Sequence, residues 1–220
     1  MFSMKMYRTQ ERVLKEELDK DFSHRKFDVY RNISNGYDWI YNCNIYKEWC
    51  YEKLLELKFN ETNNFTNTNI ISPGYCFYDG PYWLKLGIKC VWLYELDEEI
   101  RKINIKLTDY IKDDIERKGK TLDCSIDYYW IEKKDIGLHI NFNCERYYHM
   151  KHSVLKEHYP DDCIFVFCGS NLKYNGPDTP GNGHINICET LDDFIETLPN
   201  MNIFFKDTMN DKHMVIGCLE

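Results

Sequence analysis

The chain has 220 residues, 43% of them hydrophobic and 29% charged, with a formal net charge of −8. That length buries a full core without metal or disulfide staples, and the composition is neither that of a disordered nor of a fibrous chain. No apolar run approaches the roughly 20 residues that span a bilayer, and the acidic balance argues against nucleic acid, most sharply over residues 175–220 with eight acidic and two basic side chains.

The N-terminal residues carry no apolar export segment, which predicts a cytoplasmic protein. The ten cysteines are then expected to be reduced thiols, several of them in strand-like runs where Cys behaves as a small buried hydrophobe. In chain order, residues 8–22 predict a surface helix with a narrow apolar stripe of Val13, Leu14 and Leu18. Residues 27–34 and 37–41 flank Asn35-Gly36, a two-residue signal for a β-hairpin. Residues 44–58 predict a helix, with Asn44 as its cap and Tyr46, Cys50, Leu54 and Leu57 at helical spacing.

Residues 59–69 are mostly Asn and Thr and predict a connector. The expected organisation is a helix–hairpin–helix appendage over 1–59, a polar connector over 60–69 and a main domain over 70–220. Within the main domain, residues 74–78 and 88–96 predict strands, with a turn at Asp79-Gly80-Pro81. Ile103 and Ile105 predict a short strand, and residues 108–118 a helix ended at Gly119.

Residues 122–130 and 136–144 alternate apolar with polar side chains, the pattern of an antiparallel hairpin with one polar face. Residues 147–159 predict a helix carrying His149, His152 and His158, stopped by Pro160. The apolar run from Cys163 to Cys168 predicts a core strand, followed by a Gly/Pro/Asn-rich loop to Gly183 and a strand over 184–188. A helix capped at Thr190 and two strands, 201–206 and 213–218, close the chain. The expected fold is α+β, a mainly antiparallel sheet with about four flanking helices.

Four groups of residues invite a chemical reading. His139-Ile140-Asn141 and His184-Ile185-Asn186 repeat one tripeptide on two predicted strands, where His139 and His184 would act as general acid and base with Asn141 and Asn186 as hydrogen-bonding partners. The pair is similar to the His-x-Thr/Ser motifs of the 2H phosphoesterase family, with Asn in place of Thr or Ser. That resemblance implies hydrolysis of phosphodiester-type bonds. The loop after Cys168 offers Ser170, Asn171, Asp178 and Thr179 as a binding surface; it lacks the Gly-Lys-Ser/Thr end of a phosphate loop and the glycine spacing of a dinucleotide site.

Cys144, Cys163, His149 and His152, with His158 and Cys168 nearby, could supply a zinc ion, although no Cys-x-x-Cys spacing is present. Cys168 before Gly169-Ser170 could serve as a nucleophile, against its reading as a buried core thiol. Lacking a specific catalytic motif and rich in aromatic residues, the chain reads first as a non-enzymatic module whose partner is a protein, with no cofactor. The hydrolase is the alternative.

Overall fold

The computed structural model describes residues 39–71, 73, 76, 79–95, 97–111, 114–121, 135–144, 152–170 and 188–220. Helix α1 (Trp39–Glu56) and the short α2 (Phe59–Thr62) precede β1 (Asn67–Ile71). Then follow α3 (Gly80–Lys85), β2 (Cys90–Glu95), α4 (Glu98–Ile111), β3 (Glu116–Thr121), β4 (Leu138–Asn141), α5 (His152–His158) and β5 (Ile164–Ser170). The last elements are α6 (Leu191–Glu196), β6 (Met201–Met209) and β7 (Lys212–Leu219). No helix among the described residues is long and apolar enough to cross a membrane.

The seven strands form one sheet in the order β3-β2-β1-β4-β5-β7-β6. The first five run parallel to their neighbours, and only β7 pairs antiparallel, with β5 on one side and β6 on the other. The expectation of a mainly antiparallel α+β sheet is therefore corrected to a mixed, mostly parallel sheet with helices between its strands. Parallel strands are covered on both faces, and every residue of β4 and β5 is buried.

On one face, Cys50, Tyr51 and Leu54 of α1 and Trp83 of α3 pack over Ile70, Leu93, Ile140 and Val166. On the other, Leu155 of α5, Tyr159 and Phe194 of α6 cover Phe165, Phe167 and Val215. Each such large side chain contributes roughly 1.5–3 kcal/mol by leaving water.

Several local expectations change for identifiable reasons. Residues 39–41 are helical rather than part of a hairpin, because α1 continues without a break, adding one backbone bond per residue; residues 27–34 lie outside the described residues. The segment 59–69 carries α2 and the first residues of β1, where Thr68 and Asn69 are buried.

Ile103 and Ile105 lie in α4, which starts earlier than expected because Asp97 Oδ1 accepts from the N–H groups of Glu99 (3.0 Å) and Ile100 (3.2 Å). Gly119 does not end a helix. It lies in β3, where a Cβ would stand 2.9 Å from Arg101 Cγ, so a glycine lets α4 sit close on the sheet.

The alternation over 136–144 misleads because His139 and Asn141, expected on a polar face, are fully buried. β4 lies parallel between β1 and β5; the proposed hairpin partner, 122–130, is outside the described residues. At the C-terminal end the expectations hold more closely. Thr190 and Asp193 form a reciprocal capping box on α6, and β6 and β7 form a hairpin in which Asn210 takes the left-handed conformation at φ 53°.

Candidate functional site

From β1 the chain winds outward through β2 to β3, then returns to place β4 on the other side of β1. The connections leave β1 and β4 in opposite directions, and in open α/β sheets ligands bind beyond the carboxyl ends of the strands at such a reversal. Ile71 and Asn141, the last residues of the two strands, are register partners there. The described residues just beyond the strand ends are Pro73, Cys76 and Asp79 after β1, Asp97 after β2, and Phe142, Asn143 and Cys144 after β4.

Glu95 ends β2 and is 9% exposed; its Oε1 accepts from the backbone N–H of Asp97 at 3.3 Å. Cys76, beyond the end of β1, donates its N–H to Oδ1 of Asn104 in α4 at 3.0 Å. Asn141 Oδ1 accepts from Asn143 N–H at 3.0 Å, and its Nδ2 is buried with no partner among the described residues. An orphaned donor of this kind costs about 1–3 kcal/mol, so it stands out at a strand end beside the reversal in strand order.

α1 reaches the same rim. Lys47 Nζ donates to Asp79 Oδ2 at 3.2 Å with both side chains nearly sealed from water, and Tyr51 Oη donates to the same oxygen at 3.3 Å. Trp83 Nε1 in turn donates to Tyr51 Oη at 3.0 Å. Nearby, Tyr46 Oη donates to Asp211 in the β6–β7 turn. Burial and that carboxylate push the Tyr46 phenol up to about 12.

Of the residues singled out in the sequence, His139, Asn141, Cys144, Cys163, Cys168 and Ser170 lie among the described residues with their side chains placed. His139 is fully buried, its Nδ1 3.0 Å from Tyr159 Oη, which accepts from Asn69 Nδ2 at 3.2 Å. The rings of Tyr159, Phe165 and Phe167 enclose it at 5.2, 5.5 and 6.3 Å, and this burial pushes its pKa down to about 3. A neutral imidazole walled in by aromatic rings does not meet a substrate. His184 and Asn186 lie outside the described residues, as do Asn171, Asp178 and Thr179. Ser170 is buried and donates to the Asp211 carbonyl at 3.3 Å.

Of the metal candidates, Cys144 and Cys163 are buried, and their thiols donate to the carbonyls of Asn141 and Ile164 at 3.7 Å. Burial holds the Cys163 thiol well above its usual range. His149 is outside the described residues, and His152 and His158 bound α5. Among the described residues no three His, Cys, Asp or Glu side chains group to hold a metal. Cys168 belongs to the apolar core facing α1. Sequence reasoning missed Lys47, Asp79 and Glu95. Only Glu95 had a legible signal, a carboxylate closing an apolar strand ahead of a helix.

No family model matches the chain, and no curated protein does. Solved structures do. An S-adenosylmethionine-dependent methyltransferase from Clostridium acetobutylicum is 13% identical and superposes with a TM-score of 0.56, covering 90% of this chain and 97% of its own. An MtNAS mutant complexed with S-adenosylmethionine is 11% identical with a TM-score of 0.52, over 96% of this chain and 72% of its own. A methyltransferase from Aquifex aeolicus is 11% identical with a TM-score of 0.50, over 77% and 89%.

The chain has the Rossmann-like fold of S-adenosylmethionine-dependent methyltransferases. The expectation of a non-enzymatic protein-interaction module is contradicted by this likeness in fold to solved structures, of which those from Clostridium acetobutylicum and Aquifex aeolicus are described as S-adenosylmethionine-dependent methyltransferases. The phosphodiester hydrolase falls with it, since His139 is sealed in the core.

Proposed function

We propose that this chain is an S-adenosylmethionine-dependent methyltransferase whose cofactor lies across the carboxyl ends of β1, β2 and β4. The observation that carries the reading is Glu95, a carboxylate at the end of the second strand, beside the reversal in strand order. An acidic residue at this point of a nucleotide-binding sheet accepts hydrogen bonds from ribose hydroxyls.

The donor set suits the group. Glu95 places a carboxylate at the end of β2, Cys76 beyond β1 is bonded to Asn104, and the buried Asn141 amide keeps a donor at the end of β4. S-adenosylmethionine, when bound, supplies an electrophilic methyl group on a sulfonium. The chain's own task is to orient the acceptor and keep water away, and proximity of this kind is the main lever in a two-substrate transfer. The acidic surface favours an acceptor that does not rely on phosphate contacts, in a cytoplasmic setting.

Titration with S-adenosylhomocysteine by calorimetry tests the assignment. The wild-type protein binds it, and Glu95→Gln weakens binding about tenfold, the value of one charge-assisted hydrogen bond, with the melting temperature unchanged. A wild-type protein that does not bind S-adenosylhomocysteine overturns the proposal.

A further inference from the structure

Lys47 stands where three separate pieces of chain meet. It projects from α1, pairs with Asp79 at the end of the loop after β1, and lies 5.8 Å from the ring centroid of Phe142, the first residue after β4. Tyr51, one turn further along α1, repeats the arrangement: its hydroxyl donates to Asp79 and its ring meets Phe142 edge-on at 6.2 Å. The two segments gripped in this way are those that leave the ends of β1 and β4, the strands that flank the reversal point.

A buried ion pair is an expensive way to hold a helix, since apolar side chains of similar volume often do so equally well. What the pair adds is a fixed geometry, because a cation shared between a carboxylate and a ring face sets both relative to α1.

We infer that Lys47 and Asp79 are positioning residues for the cofactor site, and that α1 is a strap whose docking sets the spacing of the β1 and β4 segments and is coupled to ligand binding. The inference rests on the methyltransferase reading. Coupling is reciprocal: if docked α1 favours the ligand, the ligand must favour docked α1.

The test uses the full chain and S-adenosylhomocysteine, with two readouts besides activity. Removing one partner strands a charge and could unfold the protein, so the informative variant removes both, Lys47→Met with Asp79→Asn. The expected result is a melting temperature near that of wild type, an affinity for S-adenosylhomocysteine reduced at least about tenfold, and ligand-induced protection of residues 45–56 from amide exchange in wild type that is lost in the double variant. A double variant that binds as tightly as wild type, or a ligand that leaves exchange in α1 unchanged, overturns the inference and leaves the methyltransferase reading standing. A wild-type protein that fails to bind S-adenosylhomocysteine removes both.

Discussion

Two buried polar clusters flank the junction of β1 and β4, one on each face of the sheet, and they differ in kind. On the α5 face, Asn69, His139 and Tyr159 form a neutral chain of hydrogen bonds closed by aromatic rings. On the α1 face, Lys47, Asp79 and Tyr51 form a charged cluster that ties α1 to the rim of the proposed site. The first pairs Asn69 Nδ2 and His139 Nδ1 through the one Tyr159 hydroxyl inside doubly covered strands; the second spans the segments that leave β1 and β4, whose separation is proposed to matter to a ligand. Burial and hydrogen bonding alone do not mark a functional residue. Position relative to the carboxyl ends of the strands is the criterion on which the proposed site rests.

Perturbing each cluster in turn sharpens the contrast. Lys47→Met leaves the Asp79 carboxylate buried without its cation and should cost about 3–5 kcal/mol in urea unfolding. A loss under 1 kcal/mol would show that water reaches this face and that the two clusters are not different in kind.

The second effect depends on pH. Because the folded pKa of His139 is about 3 and an unfolded His titrates near 6.5, the unfolded state binds the extra proton between those values. Stability therefore falls as pH drops below about 6.5, by up to about 1.4 kcal/mol per pH unit. His139→Gln, which retains a hydrogen-bonding group and cannot titrate, should flatten the melting-temperature profile from pH 6.5 to 4. An unchanged profile would place the acid sensitivity elsewhere.

The smallest change is Tyr159→Phe, which removes the hydroxyl shared by Asn69 and His139. It should cost about 1–2 kcal/mol without altering S-adenosylhomocysteine affinity. A large loss of affinity would break the distinction between the two faces.

Some elements were legible because their determinants are local. The unbroken apolar run from Cys163 to Cys168 marks a strand buried on both faces, and β5 is one. Thr190 with Asp193 three residues on is a capping signal, and the structure forms both of its hydrogen bonds. The closing hairpin follows from two apolar runs around a polar turn.

What tertiary structure alone decided is strand direction and the site. Alternation in 136–144 is a statement about side-chain faces, and parallel and antiparallel strands share that period of two. Here the apparently polar face was covered, with His139 satisfied by Tyr159, which the sequence places on a different element. The site depends on contacts remote along the chain: Lys47 meets Asp79 across 32 residues, and Ile71 meets Asn141 only through sheet register. Composition and periodicity report which residues leave water; only the assembled sheet determines which strand ends lie side by side, and that adjacency is where the cofactor site is proposed.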